Sequence, residues 1–459
     1  MSLYQRRRYA SPVRPVRERA EDRGRPLALI ETCSGQIFRY HIDGASSTLT
    51  LERSAANRQS PWAVANELLS AAFLPVGYPR SVRSEYLRFQ VYDTLQAACS
   101  YLRSILATSA ILKASGVGEG TASPMAAAVA WVLRDGFGMC GSLIFASLVG
   151  SGFDENVKEW RLFADLINDV GLTLNMMAAL VGPKYYILVT ALGAMCTSIC
   201  GMVAGATRAS ITAHFALEGN LADVSAKEGA QETAVTMVGL LIGSYLFAPI
   251  IGDSPSLVWI AFGTLTLLHV YANWRGVGCL VLPWLNLQRA SILVVHWVSS
   301  KGTALTPDAV ASKERIWGPV LLMLFGPKLN CRLPELCNKH ADVELLRDIY
   351  VHERYWLRVD SAGRPRIIFA RDADGQDTMK ALLQCALLDE AKRTVLRVLS
   401  DRDPPEEPTE VSILKASYNE MRRQWPDLVT AMLREGWEQA GLRAAPRGWR
   451  YEVSSSSYE

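Results

Sequence analysis

YYILVTALGAMCTSICGMVAGAT, residues 185–207, contains no charged side chain. As an α-helix its 23 residues are long enough to cross a hydrocarbon core, which is about 30 Å thick at about 1.5 Å of rise per residue. Residues 233–252 and 254–274 are likewise uncharged, and the turn Gly252-Asp253-Ser254-Pro255 joins them. A soluble protein buries one such helix at its centre. Three within 90 residues are hard to shield from water, so they predict a polytopic α-helical membrane bundle.

Three further segments fit the same bundle but carry charge. Residues 91–112 hold Asp93 and Arg103, residues 124–148 hold Arg134 and Asp135, and residues 162–180 hold Asp165 and Asp169. The expected fold is therefore mainly α, with about six spans. Trp160, Tyr185, Tyr186, Tyr271 and Trp274 stand where an interfacial aromatic belt would place them. A seventh, shorter apolar run, 276–287, contains Pro283 and suggests an interfacial helix. Bases cluster in alternate loops: Arg80, Arg83 and Arg88 before the first span, Lys158 and Arg161 after the second, Arg208 and Lys227 after the fourth, Arg275 and Arg289 after the sixth. The opposite loops hold only Lys113 and Lys184, so both termini are expected on the cytoplasmic side or its equivalent. Which membrane this is, an organelle's included, stays open.

Whole-chain composition hides this segregation: 49% hydrophobic residues, 20% charged residues and a mean hydropathy of +0.10 are ordinary values. Net charge is only +3, which gives no reason to expect a nucleic-acid partner. Residues 1–25 carry eight arginines and three acids and read as a disordered basic tail. Residues 26–72 read as a small soluble unit, strands flanking Ser34-Gly35 and then an amphipathic helix over 62–73 stopped by Pro75, Gly77 and Pro79. Spans and loops occupy 73–290. A soluble α/β domain over 291–459 follows, with a hairpin around Asp360-Ser361-Ala362-Gly363, a helix capped by Asp377, a loop at 401–408, a helix opened by Pro426, a last strand near 449–453 and a frayed end.

Charges inside a bilayer are costly and mark functional candidates. Asp93, Gln96, Ser100 and Arg103 form one stripe at i, i+3, i+7 and i+10, and Asp165, Asn168, Asp169 and Asn175 share a face of the third span. Arg134-Asp135 can meet either stripe. Two readings stand: a polar cavity that binds a solute, or ion pairs that hold helices in register. Gly193, Thr197, Gly201 and Gly205, with Gly239 and Gly243, mark close-packed helix faces. The stretch between spans four and five is polar and rich in small residues, and reads either as a structured loop whose charges Arg208, Asp223, Lys227 and Glu228 contact a ligand or as a solvated connector. The nine cysteines form no CxxC pair, so Cys196 and Cys200 read as packing residues. SGVGEG at 115–120 lacks the Lys-Ser/Thr of a phosphate loop, and His214 and His269 stand alone. No enzyme, metal or cofactor is expected.

Four stretches together resemble the root UVB-sensitive family: FLPVGYPRSVRSEYLRFQVYDTLQ (73–96), WRLFADLINDV (160–170), GATRASITAHFALEGNLADVSAKEGAQET (205–233) and LHVYANWRGV (268–277). The resemblance implies a membrane-resident protein linked, in plants, to UV-B tolerance, seedling growth and vitamin B6 balance, with plastids as one setting. Ser142 stands where the family often has arginine, and Asn175 where some members have an acid. The expected function is binding or carriage of a small polar or anionic solute, a vitamin B6 compound by resemblance. Arg103, Arg134, Arg208 and Lys227 would neutralise the solute, and Asp93, Asp165 and Asp169 would position them or relay protons. The alternative is a membrane scaffold whose C-terminal domain docks a protein partner.

Overall fold

The computed structural model describes residues 27–33, 36–42, 49–53, 61–115, 124–149, 152–251, 254–315, 318, 322, 324, 326–400, 409–443 and 448–452. The basic tail, the Ser34-Gly35 and Gly252-Asp253 turns, residues 116–120 of the glycine-rich stretch, the 401–408 loop and the C-terminal serines lie outside them. Internal packing divides the chain into two units. One comprises residues 1–84 and 215–234, the other residues 85–214 and 235–459.

In the first unit, β1 (Leu27–Cys33), β2 (Gln36–Ile42) and β3 (Leu49–Arg53) form an antiparallel sheet in that order. Helix α1 (Pro61–Phe73) follows and ends before Pro75 and Gly77, as expected; Gly77 has a φ of 81°, which suits a residue without Cβ.

Long helices dominate the second unit: α2 (Tyr86–Ala114), α3 (Pro124–Val149), α4 (Val157–Met177) and α5 (Gly182–Phe215), then α6 (Leu221–Ile242), a π-helical turn (Gly243–Phe247), α7 (Ala248–Ile251) and α8 (Pro255–Cys279). The last residue of α5 and residues 221–234 of α6 belong to the first unit. The π turn ends two residues before Pro249, whose missing N–H and bulky ring disturb a regular ladder. Four stretches are long and apolar enough to cross a membrane: Ala128–Val149, Lys184–Phe215, Leu221–Ile251 and Pro255–Cys279. The charged helices α2 and α4 occupy the other two expected positions. α2 packs on α8 and α4, and α4 on α8.

The structure corrects two readings here. The stretch 205–233 is not a long loop. α5 continues to Phe215 and α6 begins at Leu221, so only 216–220 connect them; its alanines and alternating charges suit helix ends as well as loops. Nor is 276–287 an interfacial helix. α8 runs on to Cys279, then the chain is extended, with Leu280, Leu282, Trp284 and Leu285 buried. Pro283 has no N–H to give a helix.

α9 (Leu287–Ser299), capped by Asn286 accepting from the Arg289 N–H at 2.9 Å, opens the C-terminal part, followed by α10 (Pro307–Ala311) and α11 (His340–Ile349). β4 (Tyr355–Val359) and β5 (Pro365–Ala370) form the expected hairpin, and β6 (Arg450–Tyr451) adds in parallel beside β5. α12 (Gly375–Ser400) and α13 (Glu410–Arg434) cover the sheet. Buried Gln384 accepts from the Tyr355 hydroxyl (2.9 Å) and donates to those of Tyr350 (3.0 Å) and Ser417 (3.1 Å). Asp374, not Asp377, caps α12: its carboxylate accepts from the Asp377 N–H, and Asp377 reaches back to the Asp374 N–H at 2.9 Å. Pro426 lies inside α13 rather than opening it. Leu414, Tyr418, Met421, Leu428 and Met432 anchor both halves of that helix in the core, while Pro426 itself is exposed.

Candidate functional site: a buried ion network and a polar cavity

The stripes on α2 and α4 face each other and α8, and their side chains join into one chain of contacts. Arg161 of α4 donates to Asp93 of α2 at 2.9 Å and lies 3.5 Å from Asp165, one helical turn along. Asp165 accepts from the Gln96 amide at 2.8 Å. The same nitrogen stands 3.1 Å from His269 Nε2, on α8. An N–H facing Nε2 makes that atom an acceptor, which leaves the imidazole proton on Nδ1, 3.0 Å from Asp169. Asp169 also pairs with Arg103, which is fully buried and reaches Thr266 at 3.3 Å. Three carboxylates thus face two guanidiniums and one imidazole.

The sequence puts Arg103 or Arg134 against Asp165 or Asp169, and the structure realises one of these pairings, Arg103 with Asp169. Arg134 pairs with its neighbour Asp135 at 2.8 Å and stacks over Trp131, 4.4 Å from the ring centre. The network leaves little room. A cavity of about 10 Å³ beside Asp93, Gln96, Arg161 and Asn273 suits a single water rather than a solute.

Arg134 and Asp135 instead line a cavity of about 340 Å³ between α2, α3, α4 and α5, with Ser104, Thr108, Asn175 and Ser198 among the polar groups on its wall. Asn175 is buried, and its Oδ1 has no hydrogen-bond partner among the described residues. Close packing forms one edge: a Cβ on Gly193 would stand 2.4 Å from Asn175 Oδ1, and one on Gly171 would stand 2.9 Å from the Gly193 carbonyl. A neighbouring cavity of about 510 Å³ is apolar apart from Ser109 and Lys113.

Of the charges expected to contact a ligand between spans four and five, Asp223 and Lys227 act locally within the first unit. Lys227 donates to the Ala71 carbonyl at 2.5 Å and Gln231 to the Phe73 carbonyl at 2.7 Å, which satisfies acceptors at the end of α1. Asp223 accepts from the Val76 N–H at 2.7 Å. Glu228 is buried on α6, and Arg208 is half-buried on α5. Sequence reasoning missed Arg161 and His269 as members of the network. Their signals were present: Arg161, Asp165 and Asp169 repeat every four residues, and Thr266, His269 and Asn273 make a polar stripe on an apolar helix. Among the described residues no group of three His, Cys, Asp or Glu side chains converges as for a metal ion.

The family described as "Vitamin B6 photo-protection and homoeostasis domain" matches residues 59–301, and "Root UVB sensitive protein, C-terminal" matches residues 303–453. Protein root UVB sensitive 3 of Arabidopsis thaliana is 38% identical over 77% of this chain and 82% of its own length. RUS family member 1 of Dictyostelium discoideum is 40% identical over 54% of this chain and 47% of its own. Protein root UVB sensitive 2, chloroplastic, of Arabidopsis thaliana is 26% identical over 90% and 91%. No solved structure matches. With one domain match covering more than half of the residues and a relative this similar along most of both lengths, the chain belongs to the root UVB sensitive family.

Proposed function

We propose that this chain is a six-span membrane protein that binds and carries a small polar or anionic solute in the service of vitamin B6 homoeostasis. The observation that carries the reading is the cavity of about 340 Å³ among apolar helices, with Arg134 and Asp135 on its wall. Its volume falls in the usual range for small-ligand pockets, about 300–1,000 Å³. Membrane residence is supported by bare apolar surface: only 6% of the most apolar stretch of Ala128–Val149 is buried, and Val132, Leu143 and Leu148 are each more than 70% exposed. In water such a surface would drive aggregation; in lipid it is the normal outer face of a bundle. α2 and α4 complete the six crossings, because their charges pair inward. The base-rich loops favour both termini on the cytoplasmic side or its equivalent. One relative is named chloroplastic, which favours an organelle membrane.

In this reading Arg134 attracts the anionic group, Asn175 Oδ1 accepts a hydrogen bond from the solute, and Asp93, Arg103, Asp165 and Asp169 hold the wall in register. The chain binds and carries; it does not catalyse. The test is calorimetric titration of the purified protein with pyridoxal, pyridoxine and their phosphates, compared with Arg134→Gln. Saturable binding of at least one compound, weakened about tenfold or more by loss of the charged contact, is expected. Absence of binding by all four, or an Arg134→Gln variant that binds as the wild type does, contradicts it.

A further inference from the structure

A further cavity, of about 270 Å³, lies where α9 and the chain after α10 meet the starts of α2 and α4 and the end of α8. Four bases stand on its wall, Arg88, Lys158, Arg275 and Arg315, against two acids, Glu159 and Glu314. Glu314 is already shared: it pairs with Lys158 and, at 2.6 Å, with buried Arg289. Arg88 and Arg315 have no ion-pair partner among the described residues, and both are exposed at the rim. Arg275 leans on Tyr92, with Nε 3.4 Å from the hydroxyl. Gln288 is 95% buried; its amide nitrogen holds the Arg315 carbonyl at 3.0 Å, and its Oε1 has no partner among the described residues.

The wall therefore carries a surplus of two positive charges, and three of its four bases are arginines. A phosphate monoester carries about −1.5 to −2 at pH 7, and the arginine fork matches its oxygens in pairs. Gln288 Oε1 supplies an acceptor for an O–H or N–H on the rest of the ligand, and Trp274 supplies an aromatic wall. We propose that this cavity is a phosphate-monoester site, read by Arg88, Arg275 and Arg315. Arg88 and Ser104 are separated by about 24 Å along α2, so the site is distinct from the cavity around Arg134 and stands or falls without it.

The full-length protein in phosphatidylcholine nanodiscs, titrated calorimetrically with phenyl phosphate, tests the assignment. Saturable binding is expected, weakened at least about tenfold in the double variant Arg88→Gln, Arg315→Gln, the loss of two charge-assisted hydrogen bonds. Both residues are exposed, so the double variant should melt with the wild type. Nanodiscs doped with dioleoyl phosphatidate separate the two sources of the ester. Phosphatidate that abolishes phenyl phosphate binding, and fails to do so in Arg275→Gln, identifies a lipid headgroup. Unchanged binding identifies a soluble ester. The proposal is overturned if neither probe binds saturably, if the double variant binds as the wild type does, or if phenyl sulfate binds as tightly as phenyl phosphate.

Discussion

Replacing Asp169 by leucine removes the only ion-pair partner that the described residues give Arg103, a guanidinium with no exposed surface whose Nε and Nη2 make no hydrogen bond there. Breaking a buried pair on one side costs about 3–5 kcal/mol, because the remaining charge keeps its desolvation penalty and loses its compensation. The folding equilibrium should fall by a factor of roughly a hundred to a few thousand. Arg103→Met should cost less, since Asp169 keeps His269 as a donor at 3.0 Å. The double variant Arg103→Met, Asp169→Leu leaves no orphaned charge. It deprives His269 Nδ1 of its carboxylate partner and Thr266 of the Arg103 N–H, a loss of about 1–3 kcal/mol, and should be more stable than Asp169→Leu alone. Reversible unfolding of the three variants in mixed detergent micelles, followed by tryptophan fluorescence, gives the cycle. If the double variant's loss equals the sum of the single losses to within about 0.5 kcal/mol, the two residues do not interact and the network is misread.

Further outcomes follow from other parts of the chain. A Cβ on Gly375 would lie 2.0 Å from the Leu442 carbonyl oxygen, so Gly375→Ala should lower the thermal stability of the C-terminal part, by about 1–3 kcal/mol in an unfolding titration. Burial holds the Asp377 carboxyl above the usual carboxylate range. The folded state then binds the proton more tightly than the unfolded one, so this residue's contribution is full below the ordinary carboxylate pKa and is lost as pH rises through the raised one. Asp377→Asn should flatten that part of the melting-temperature profile, and an unchanged profile would refute the assignment. Tags at residue 1, within residues 115–121 and at residue 459 should report one side, the opposite side and the first side again in sealed vesicles; termini on opposite sides would contradict six spans.

The parts of this architecture legible in the sequence were those written in one dimension. An uncharged run such as 185–207 needs no partner to be read, and the i, i+3, i+7 stripe on α2 declares a buried face by itself. Partners were harder. Arg161 looked like a loop base because it precedes the apolar part of α4, yet it turns inward to Asp93 and Asp165. His269 looked isolated because its partners, Gln96 and Asp169, lie 173 and 100 residues away. Residues 205–233 were read as a loop from polarity, although polar side chains also serve helices when they cap a neighbour, as Lys227 and Gln231 do at the end of α1. Arg134 was seen as a site residue with its partner left open, since nothing in its local pattern distinguishes a partner on α4 from the adjacent Asp135.

Uptake into sealed proteoliposomes tests the central claim most directly. Vesicles containing the purified chain, loaded with buffer and offered radiolabelled pyridoxal, pyridoxine and their phosphates in turn, should accumulate at least one of them above protein-free vesicles. Arg134→Gln or Asp135→Asn should reduce that uptake about tenfold or more, the loss of a charge-assisted contact, while the protein still reconstitutes. If all four compounds remain outside, or if both variants carry solute at the wild-type rate, the cavity between α2, α3, α4 and α5 is not a solute path.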